Sequence, residues 1–557
     1  MKAKILLYAA TAALAVSACS LKEKVDSYST RETYYKSEAQ IITGLNGCYS
    51  PLRGIIDNQF FQMTECAADL MMYNVSTDYN SNCNISPDRP GIGSTVWKNG
   101  YNGVMLCNEM ADVIKSAVDE GHITAKQSEK LLAETYILRA MYYYLLTCTF
   151  GDVPFYTYPV TEENRATVAK LPRMSADNTR DYLIDQLMEY LLPAEMGKKE
   201  ALQLVRSYEG DSNYRMGAAV GLMLAGKMCL WNKRWEDAVT VFTVLEQIYG
   251  DFRANPSGFG EAYPLTDIPF SRKWTAESIL EMGNIVEAYG VQFSGKIASM
   301  CMPLRTTGNT EDPEAAVPVS DIYNGIAIPE LGSFARTSVS ARPTAYYYQR
   351  LMPYGGKDLR SGEYSAGANI ARGGSGNLAW RWMGYSPSDN TREKASVLWF
   401  TTVSSNGNNR PWLGNKFWCY GMYNYKDSNN YKLFRFAGAL LGKAEALLML
   451  GDMDGACDYL NITRTRAGLD KLTPSAVGNN ASALMEEIRM ECARELFGEF
   501  QRKFDLVRWG IWYERTQLYN DGTYIQEFIR PCHRYWPIPS DQVTYSGYAL
   551  DNKEYLQ

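Results

Sequence analysis

The sequence predicts a mainly α-helical fold in which tetratricopeptide-like helix pairs are separated by long irregular insertions. Three observations carry that expectation. Apolar residues recur at helical spacing through "VWKNGYNGVMLCNEMADVIKSAV" and "KQSEKLLAETYILRAMYYYLLTCTFGDVPF". Two other stretches, "GKMCLWNKRWEDAVTVF" (226–242) and "AEALLMLGDMDGACDYL" (444–460), align without gaps although they lie 218 residues apart. Between them, from about 250 to 430, the chain is rich in Gly, Pro, Ser, Asn and aromatics and has few helical periods.

The elements follow in order. "MKAKILLYAATAALAVSACS" places Lys2 and Lys4 before an apolar run from Ile5 to Val16, then small residues. That is the layout of a secretory signal, and the run is too short to span a bilayer. Its end, Val16-Ser17-Ala18-Cys19, resembles the bacterial lipoprotein box, so residues 1–18 are expected to be removed and Cys19 lipidated. No other stretch is long and apolar enough to cross a membrane, which implies a chain anchored to a bilayer through its N-terminal lipid. Losing two lysines takes the formal net charge from -6 to −8. Polar residues 19–36 read as a tether, and a helix is expected from Ser37 or Glu38, where Ala39, Ile42 and Leu45 recur at three-residue spacing.

Residues 66–96, rich in Asn, Asp, Ser, Gly and Pro, predict a long loop of the kind that carries function or stays disordered. The helix that follows through "LLTCTF" should stop at Gly151 and Pro154. In the two aligned stretches, Gly226 and Ala444 are each followed twelve positions on by an alanine, Ala238 and Ala456. Four further on stand Phe242 and Leu460. Small residues there let two antiparallel helices approach closely, the mechanical signature of a tetratricopeptide-like pair. Their separation argues against a tandem array and predicts dispersed pairs. Within the insertion "ESILEMG" and "ASVLWFTTV" are candidate strands, and the chain closes with helices from "NNASALMEEIRMECARELF" onward and a loop "YWPIPSDQV".

At 557 residues the chain has room for two to four domains by length. With 46% hydrophobic residues it is ordinary for a globular protein, but 40 Tyr and 12 Trp are an excess. The acidic balance, with a pI of about 5.4, excludes a nucleic-acid footprint. Setting Cys19 aside leaves eleven cysteines, irregularly spaced and without CxxC, several in helical apolar contexts (Cys148, Cys229, Cys457, Cys492); few or no disulfides are expected. His122 and His533 are the two histidines, and neither has metal-ligand spacing or a nucleophile–base arrangement. The expectation is therefore a binding protein with no catalytic residues, no metal and no cofactor. The charged string Arg494, Glu495, Glu499, Arg502, Lys503, Asp505, Arg508 reads as structural. Glu499–Lys503 is i,i+4, Arg502–Asp505 and Asp505–Arg508 are i,i+3, pairs that support a helix, and some of them are expected to be buried against the neighbouring helical pair, where they specify packing.

Several of these motifs resemble the SusD/RagB family, surface lipoproteins that pair with TonB-dependent outer-membrane transporters in Bacteroidetes. "FRFAGALLGKAEALLMLGDMDGACDYLNITRTRAGL", "ARELFGEFQRKFDLVRWG" and "YWPIPSDQV" resemble its C-terminal half. "LRAMYYYLLTCTFGDVPF" resembles its N-terminal helix with a Gly-Asp-x-Pro turn, and "RPTAYYYQRLMPYGGKDLR" its Pro-Thr segment followed by Asp-x-Arg. The resemblance runs over nearly all of residues 19–557. One departure is Ala437-Gly438, where the family usually has Ala-Glu, and a loosened helix contact is expected there. The resemblance implies a SusD-like scaffold of about four helix pairs over residues 37–557, with an N-terminal half of about 37–250 and a C-terminal half of about 270–557. It further implies an outward-facing outer-membrane lipoprotein, a SusC-like transporter as partner and an oligosaccharide as ligand, or for some members a peptide.

The candidate ligand residues come from the side chains themselves. A sugar ring offers an apolar C–H face, which an indole buries at about 25 cal/mol per Å², and hydroxyls that Arg, Asp and Asn can satisfy. "NLAWRWMGYSPSDN" offers Trp380, Trp382 and Tyr385 with Arg381, Asp389 and Asn390; extended backbone would set the two indoles on one face, roughly 6–7 Å apart. "NGNNRPWLGNKFW" offers Trp412 with Asn408, Asn409 and Arg410. The 66–96 segment offers Asp78, Tyr79 and Arg89, and "IVEAYGVQF" adds Tyr289 and Phe293. Trp97, Trp231 and Trp235 sit in helical contexts and read as core. The local density of aromatics favours glycans over peptides; a ligand-free structural scaffold and a glycan or peptidoglycan hydrolase are the further alternatives.

Overall fold

The structure, a computed structural model, describes residues 31–73, 75–192, 215–288, 291–302, 340–353, 357–364, 415–419 and 427–555. It also describes short stretches at 317–318, 333–334, 378–381, 397–400 and 422. The mainly α-helical, tetratricopeptide-like architecture expected from the sequence is the one found. Its framework includes helices α1 (Glu38–Gly47), α2 (Ser50–Ile55), α3 (Gly93–Asp119), α4 (Ala125–Phe150), α5 (Ala176–Leu191), α6 (Ala218–Asn232), α7 (Trp235–Tyr249), α8 (Phe436–Met449), α9 (Met453–Arg466), α10 (Ala481–Glu495) and α11 (Arg502–Arg508). Each of α3 to α9 packs on the next, and α10 closes the stack against α8 and α9. No helix among the described residues is long and apolar enough to cross a membrane.

Local signals set the helix ends. The Ser37 hydroxyl accepts the Gln40 N–H and starts α1, and a capping box between Thr124 and Gln127 starts α4. That helix ends at Gly151, whose φ of 72° an L-residue would adopt only with strain. From Leu131 to Phe150 every residue of α4 is buried, so it is the central rod. Arg139, at 2% exposure, is accommodated there by donating to Asn108 Oδ1 (2.8 Å) on α3 and Gln186 Oε1 (2.7 Å) on α5. The Tyr142 hydroxyl accepts the Leu52 N–H (3.1 Å) and donates to the Cys48 carbonyl, fixing α1 and α2 onto α4. Trp97 is core, as expected, and the described cysteines, Cys148, Cys229, Cys457 and Cys492 among them, are free thiols.

The two aligned hairpins are α6–α7 and α8–α9, and they are not dispersed in space: α7 packs directly on α8. The Phe242 ring explains the junction. A Cβ at Gly226 would stand 2.3 Å from that ring and one at Gly442 2.9 Å, so one ring fills two glycine hollows from neighbouring hairpins. Gly438 corrects a further expectation. A Cβ there would meet Met223 at 3.1 Å, so the Ala437-Gly438 departure marks a close helix approach rather than a loosened one.

The insertion is fastened to this scaffold by short antiparallel pairings. Strand Ser278–Met282 pairs with Tyr431–Arg435, which runs straight into α8, and Met71–Tyr73 pairs with Ala341–Pro343. Both predicted strands are present, Val397–Phe400 forming a three-stranded sheet with Leu378–Arg381 and Gly362–Tyr364. The 66–96 segment is not the open loop expected. Beyond strand Met71–Tyr73 it folds into compact turns in which Asn80, Ser81, Asn82 and Cys83 are buried. Its polar side chains serve its own backbone: Asn82 Nδ2 donates to the Val75 carbonyl (2.9 Å) and Asn80 Oδ1 accepts the Ile92 N–H (2.8 Å).

The charged string is structural, but its partners are not the ones helical spacing suggested. Of the three local pairs only Arg508–Asp505 (2.8 Å) forms among the described residues: Glu499 lies in the turn between α10, which ends at Glu495, and α11, which begins at Arg502. Arg502 instead grips Asp69 (2.7 Å). Lys503 lies over the Trp536 and Trp512 rings (3.8 and 4.3 Å) and donates to the His533 carbonyl (2.7 Å); burial pushes its pKa down to about 7. Glu495 and Glu499 enter a fully buried lattice around Arg435. That guanidinium donates to Glu277 (2.8 Å), Glu499 (2.7 Å) and Glu495 (2.9 Å), while Arg466 bridges Glu277 (2.8 Å) and Glu495 (2.6 Å). Arg360 binds Asp358, Glu491 and Glu495, and Lys416 binds Glu499 (2.6 Å). Burial alone would raise the Glu491 carboxyl, but Arg360 and Arg494 hold it at about 2.

Arg435→Met would strand Glu277, Glu495 and Glu499 in the core and is expected to lower unfolding stability by about 3–5 kcal/mol in urea titrations. Because the folded pKa of Glu491 (about 2) lies below its unfolded value (~4.3), its contribution is complete above that unfolded value and is lost as pH falls towards 2. Tm measured from pH 5 down to 2 should therefore fall steeply in the wild type.

Candidate functional site

Three regions hold the aromatic and polar groups that could receive a ligand. The first is the turn containing Asp78, Tyr79 and Arg89, which the structure brings together. Asp78 Oδ2 accepts the Ser81 N–H (2.9 Å) and the Ser81 hydroxyl, closing a turn, and burial raises its pKa. Tyr79, 41% exposed, lies under the Arg89 guanidinium, 4.8 Å from its centroid. Arg89 in turn donates to the Asn84 carbonyl (3.0 Å) and side-chain oxygen, so the ring and the cation are held as one exposed unit. The Asp78 carboxylate is committed to the turn, and the face presented to solvent is the Tyr79–Arg89 pair.

The second region is the three-stranded sheet. Trp380 and Arg381 lie on its central strand, where Trp380 is in register with Leu398 on one side and Gly362 on the other, and Arg381 with Val397. The extended backbone expected at Trp380 is thus present. Trp382, Tyr385, Asp389, Asn390, Trp412, Asn408, Asn409, Arg410 and Tyr289 lie outside the described residues, as does Cys19.

The third region was not singled out from the sequence. A cavity of about 620 Å³ opens between the α1–α2 corner and the turn around strand Ser278–Met282, within the size range of ligand sites. Tyr49, Arg53, Leu52 and Asn46 line one side, Lys273, Trp274, Met282, Gly283 and Asn284 the other, with Arg215, Glu281 and Asn430 between. The Tyr49 hydroxyl donates to Glu134 and accepts the Met216 N–H (2.8 Å), while Arg215 pairs with Glu134 (2.9 Å) and donates to Asn46 Oδ1 (2.6 Å). Arg53 donates to the Gly283 carbonyl (3.0 Å) and Asn284 Oδ1 (2.5 Å), and Lys273 to the Asn284 carbonyl (3.0 Å). Trp274 adopts a left-handed backbone (φ 54°), uncommon for so bulky a residue, and its N–H is held by Glu281 Oε2 (2.9 Å). A Cβ at Gly283 would stand 3.1 Å from the indole, so glycine lets the ring lie against the chain. The signal in the sequence was the dipeptide Lys273-Trp274 just before a predicted strand, but nothing local connects it to Arg53, 220 residues earlier.

The two histidines are placed away from these regions. His122 contacts Lys36 (2.9 Å) and Glu120 (3.0 Å) at the surface; His533 is buried, accepts the Arg530 N–H, and is pushed down to about 3 by burial and Lys503.

Comparison with known proteins places this architecture. A family model described as the SusD family matches residues 344–557, and one described as starch-binding, associating with outer membrane, matches residues 21–195. A SusD-like protein of Formosa agariphila is 21% identical over 549 residues, covering 94% of this chain and 92% of that one. Among solved structures, surface glycan-binding protein A from Bacteroides thetaiotaomicron in complex with laminarihexaose matches with a TM-score of 0.63 and 18% identity, over 93% of this chain and 100% of that one. A SusD superfamily protein from Bacteroides vulgatus matches with a TM-score of 0.61 and 18% identity, over 93% and 98%.

The contacts separate surface groups from structural ones. Tyr79→Ala removes an exposed ring whose partner is an exposed cation and is expected to change unfolding stability by less than about 1 kcal/mol. Asp78→Ala leaves two donors of Ser81 without their acceptor and is expected to cost about 1–3 kcal/mol. Urea denaturation of the two variants beside the wild type measures the difference.

Proposed function

The chain belongs to the SusD/RagB family, and from that premise we propose that it captures oligo- or polysaccharide at the cell surface and passes it, without catalysis, to a SusC-like TonB-dependent outer-membrane transporter. The observation that carries the reading is the end-to-end likeness of the fold to a surface glycan-binding protein solved with laminarihexaose. In this reading residues 1–18 are a lipoprotein signal, Cys19 carries the lipid, residues 19–36 are the tether, and the two halves of residues 37–557 form one SusD-like unit. The outer membrane named in the description of the family model for residues 21–195 supports that location.

Ligand contact is proposed for Trp380, Arg381, Trp382, Tyr385, Trp412, Tyr289 and the Asp78–Tyr79–Arg89 turn. The physical basis is stacking. Indole and phenol faces bury the C–H face of a pyranose, at about 25 cal/mol per Å² of apolar surface, while guanidinium groups hold hydroxyls that would otherwise lose water; Asp78 takes part by holding the turn that presents Tyr79 and Arg89. A flexible polymer needs only such a platform, because transfer to a transporter favours contacts that release.

Affinity electrophoresis of residues 20–557 through gels cast with plant and host polysaccharides tests this directly. Retardation by at least one glycan is expected, with loss of retardation in the Trp380→Ala, Trp382→Ala variant. Retardation unchanged in that variant moves the platform to another of the proposed regions, and no retardation by any glycan overturns the reading.

A further inference from the structure

We propose that the cavity between segment 531–538 and the C-terminal segment 551–555 is a second glycan subsite, which holds the hydroxyls of one sugar residue on Arg534 while the Tyr79–Arg89 turn holds another residue of the same chain. The proposal rests on the glycan-capture reading for the ligand; the location and the two-point grip come from the structure.

The cavity measures about 350 Å³, at the lower end of the range of ligand sites. Hydrogen bonds hold its walls together from parts of the chain far apart in sequence. The backbone N–H of Trp536 donates to the Thr149 carbonyl (2.6 Å) and docks segment 531–538 on the end of α4. Asn552 accepts the Ile538 N–H (2.8 Å) and donates back to the Ile538 carbonyl (2.8 Å), and the Tyr555 hydroxyl donates to the Tyr535 carbonyl (2.5 Å). Arg173 adds a further wall, donating to the Asp551 carbonyl (3.0 Å) and Glu554 Oε1 (3.1 Å). A ligand entering a space walled in this way has little left to order.

The groups on these walls are unevenly engaged. Asp551 and Glu554 answer Arg173, and Asp551 answers Lys553 (2.8 Å). Arg534 is exposed and makes neither an ion pair nor a hydrogen bond through its guanidinium to a carboxylate among the described residues; its ring contact is with Tyr535, at 5.7 Å. Trp536, 2% exposed, also lines the cavity, and its indole N–H is a buried donor without an acceptor among the described residues. The wall formed by segment 531–538 is therefore rich in unmet donors, while Glu554 on the facing wall disfavours an anion. Neutral sugar hydroxyls are the acceptors that fit: they meet the guanidinium fork, and the half-buried rings of Tyr535 and Tyr555 bury the C–H face beside it.

The second observation is where the cavity lies. The Ser540 N–H donates to the Pro87 carbonyl (3.0 Å), inside the turn that Ser86 and Arg89 close by exchanging backbone hydrogen bonds (3.1 and 2.9 Å). One segment thus carries Arg534 and, six residues on, touches the turn of Arg89, a reach of at most about 20 Å. An oligosaccharide of a few residues spans that gap. Engaging both points raises affinity through effective concentration, by on the order of 10²-fold, without any new contact.

Affinity gels cast with laminarin, starch, xylan and pectin and run with residues 20–557, Arg534→Ala and Tyr79→Ala test the proposal. Disaccharide and octasaccharide fragments of the polymer that retards the wild type then compete in the same gels. The octasaccharide is expected to release the wild type at a concentration at least about tenfold below that of the disaccharide. Each variant should lose most of that advantage and bind the polymer at least about tenfold more weakly. Arg534→Ala should keep the wild-type Tm, which an arginine with a structural role would not, and Arg534→Lys, which keeps the charge without the fork, should recover only part of the binding. If Arg534→Ala keeps both the retardation and the chain-length advantage, this subsite is wrong and glycan capture stands. If no glycan retards the wild type, both readings fall.

Discussion

The buried ion lattice around Arg435 is the constraint on which the rest of the structure depends. A guanidinium at 0% exposure is tolerable only if carboxylates meet it, and the three that do come from separate places: Glu277 ahead of the insertion's first strand, Glu495 at the end of α10, and Glu499 in the turn beyond it. Arg466 from α9 and Arg360 from the insertion bind the same carboxylates. Desolvating so many charges is expensive, and replacing such a lattice by apolar residues can be neutral for stability. What it does supply is specificity, since a chain with any one of these elements misplaced would bury an uncompensated charge.

That specificity reaches the candidate sites through geometry. Arg435 ends the strand that pairs with Ser278–Met282, and the lattice therefore sets the position of the turns on either side of that strand, where Trp274, Gly283 and Asn284 stand. The opposite wall of the cavity is set differently, by Tyr142 of the central rod holding α1 and α2 through the Cys48 carbonyl and the Leu52 N–H. The helical stack and the fastened insertion thus meet across a space, and the groups that line it are tied to both.

The helical stack owes its closeness to small residues rather than to charge. Phe242 filling hollows at Gly226 and Gly442 joins two hairpins that the chain separates by more than a hundred and fifty residues of insertion. Packing of this kind is intolerant of volume change, and it leaves the irregular segments as the place where ligand chemistry can vary. The Tyr79–Arg89 turn shows how an irregular segment can still be ordered: its Asn, Asp and Ser side chains hydrogen-bond their own backbone, leaving the aromatic ring and the cation at the surface.

By itself the sequence determined what depends on neighbours along the chain. The 3.6-residue period marked α3 and α4, Ser37 and Gly151 marked helix ends, β-rich runs marked Ser278–Met282 and Val397–Phe400, and the small-residue spacing marked both hairpins. These are local because a helix turn, a cap or a strand's alternation is satisfied within a few residues. Tertiary structure alone decided that the hairpins dock on each other, that Arg502 answers Asp69 rather than Asp505, that the polar 66–96 segment is half-buried, and that Trp274 and Lys273 face Arg53. Charges, hollows and cavity walls have partners fixed by distance in space, and many arrangements of the same helices would satisfy the same local signals. Only burial, which makes an unpaired charge or an unfilled hollow costly, selects one of them.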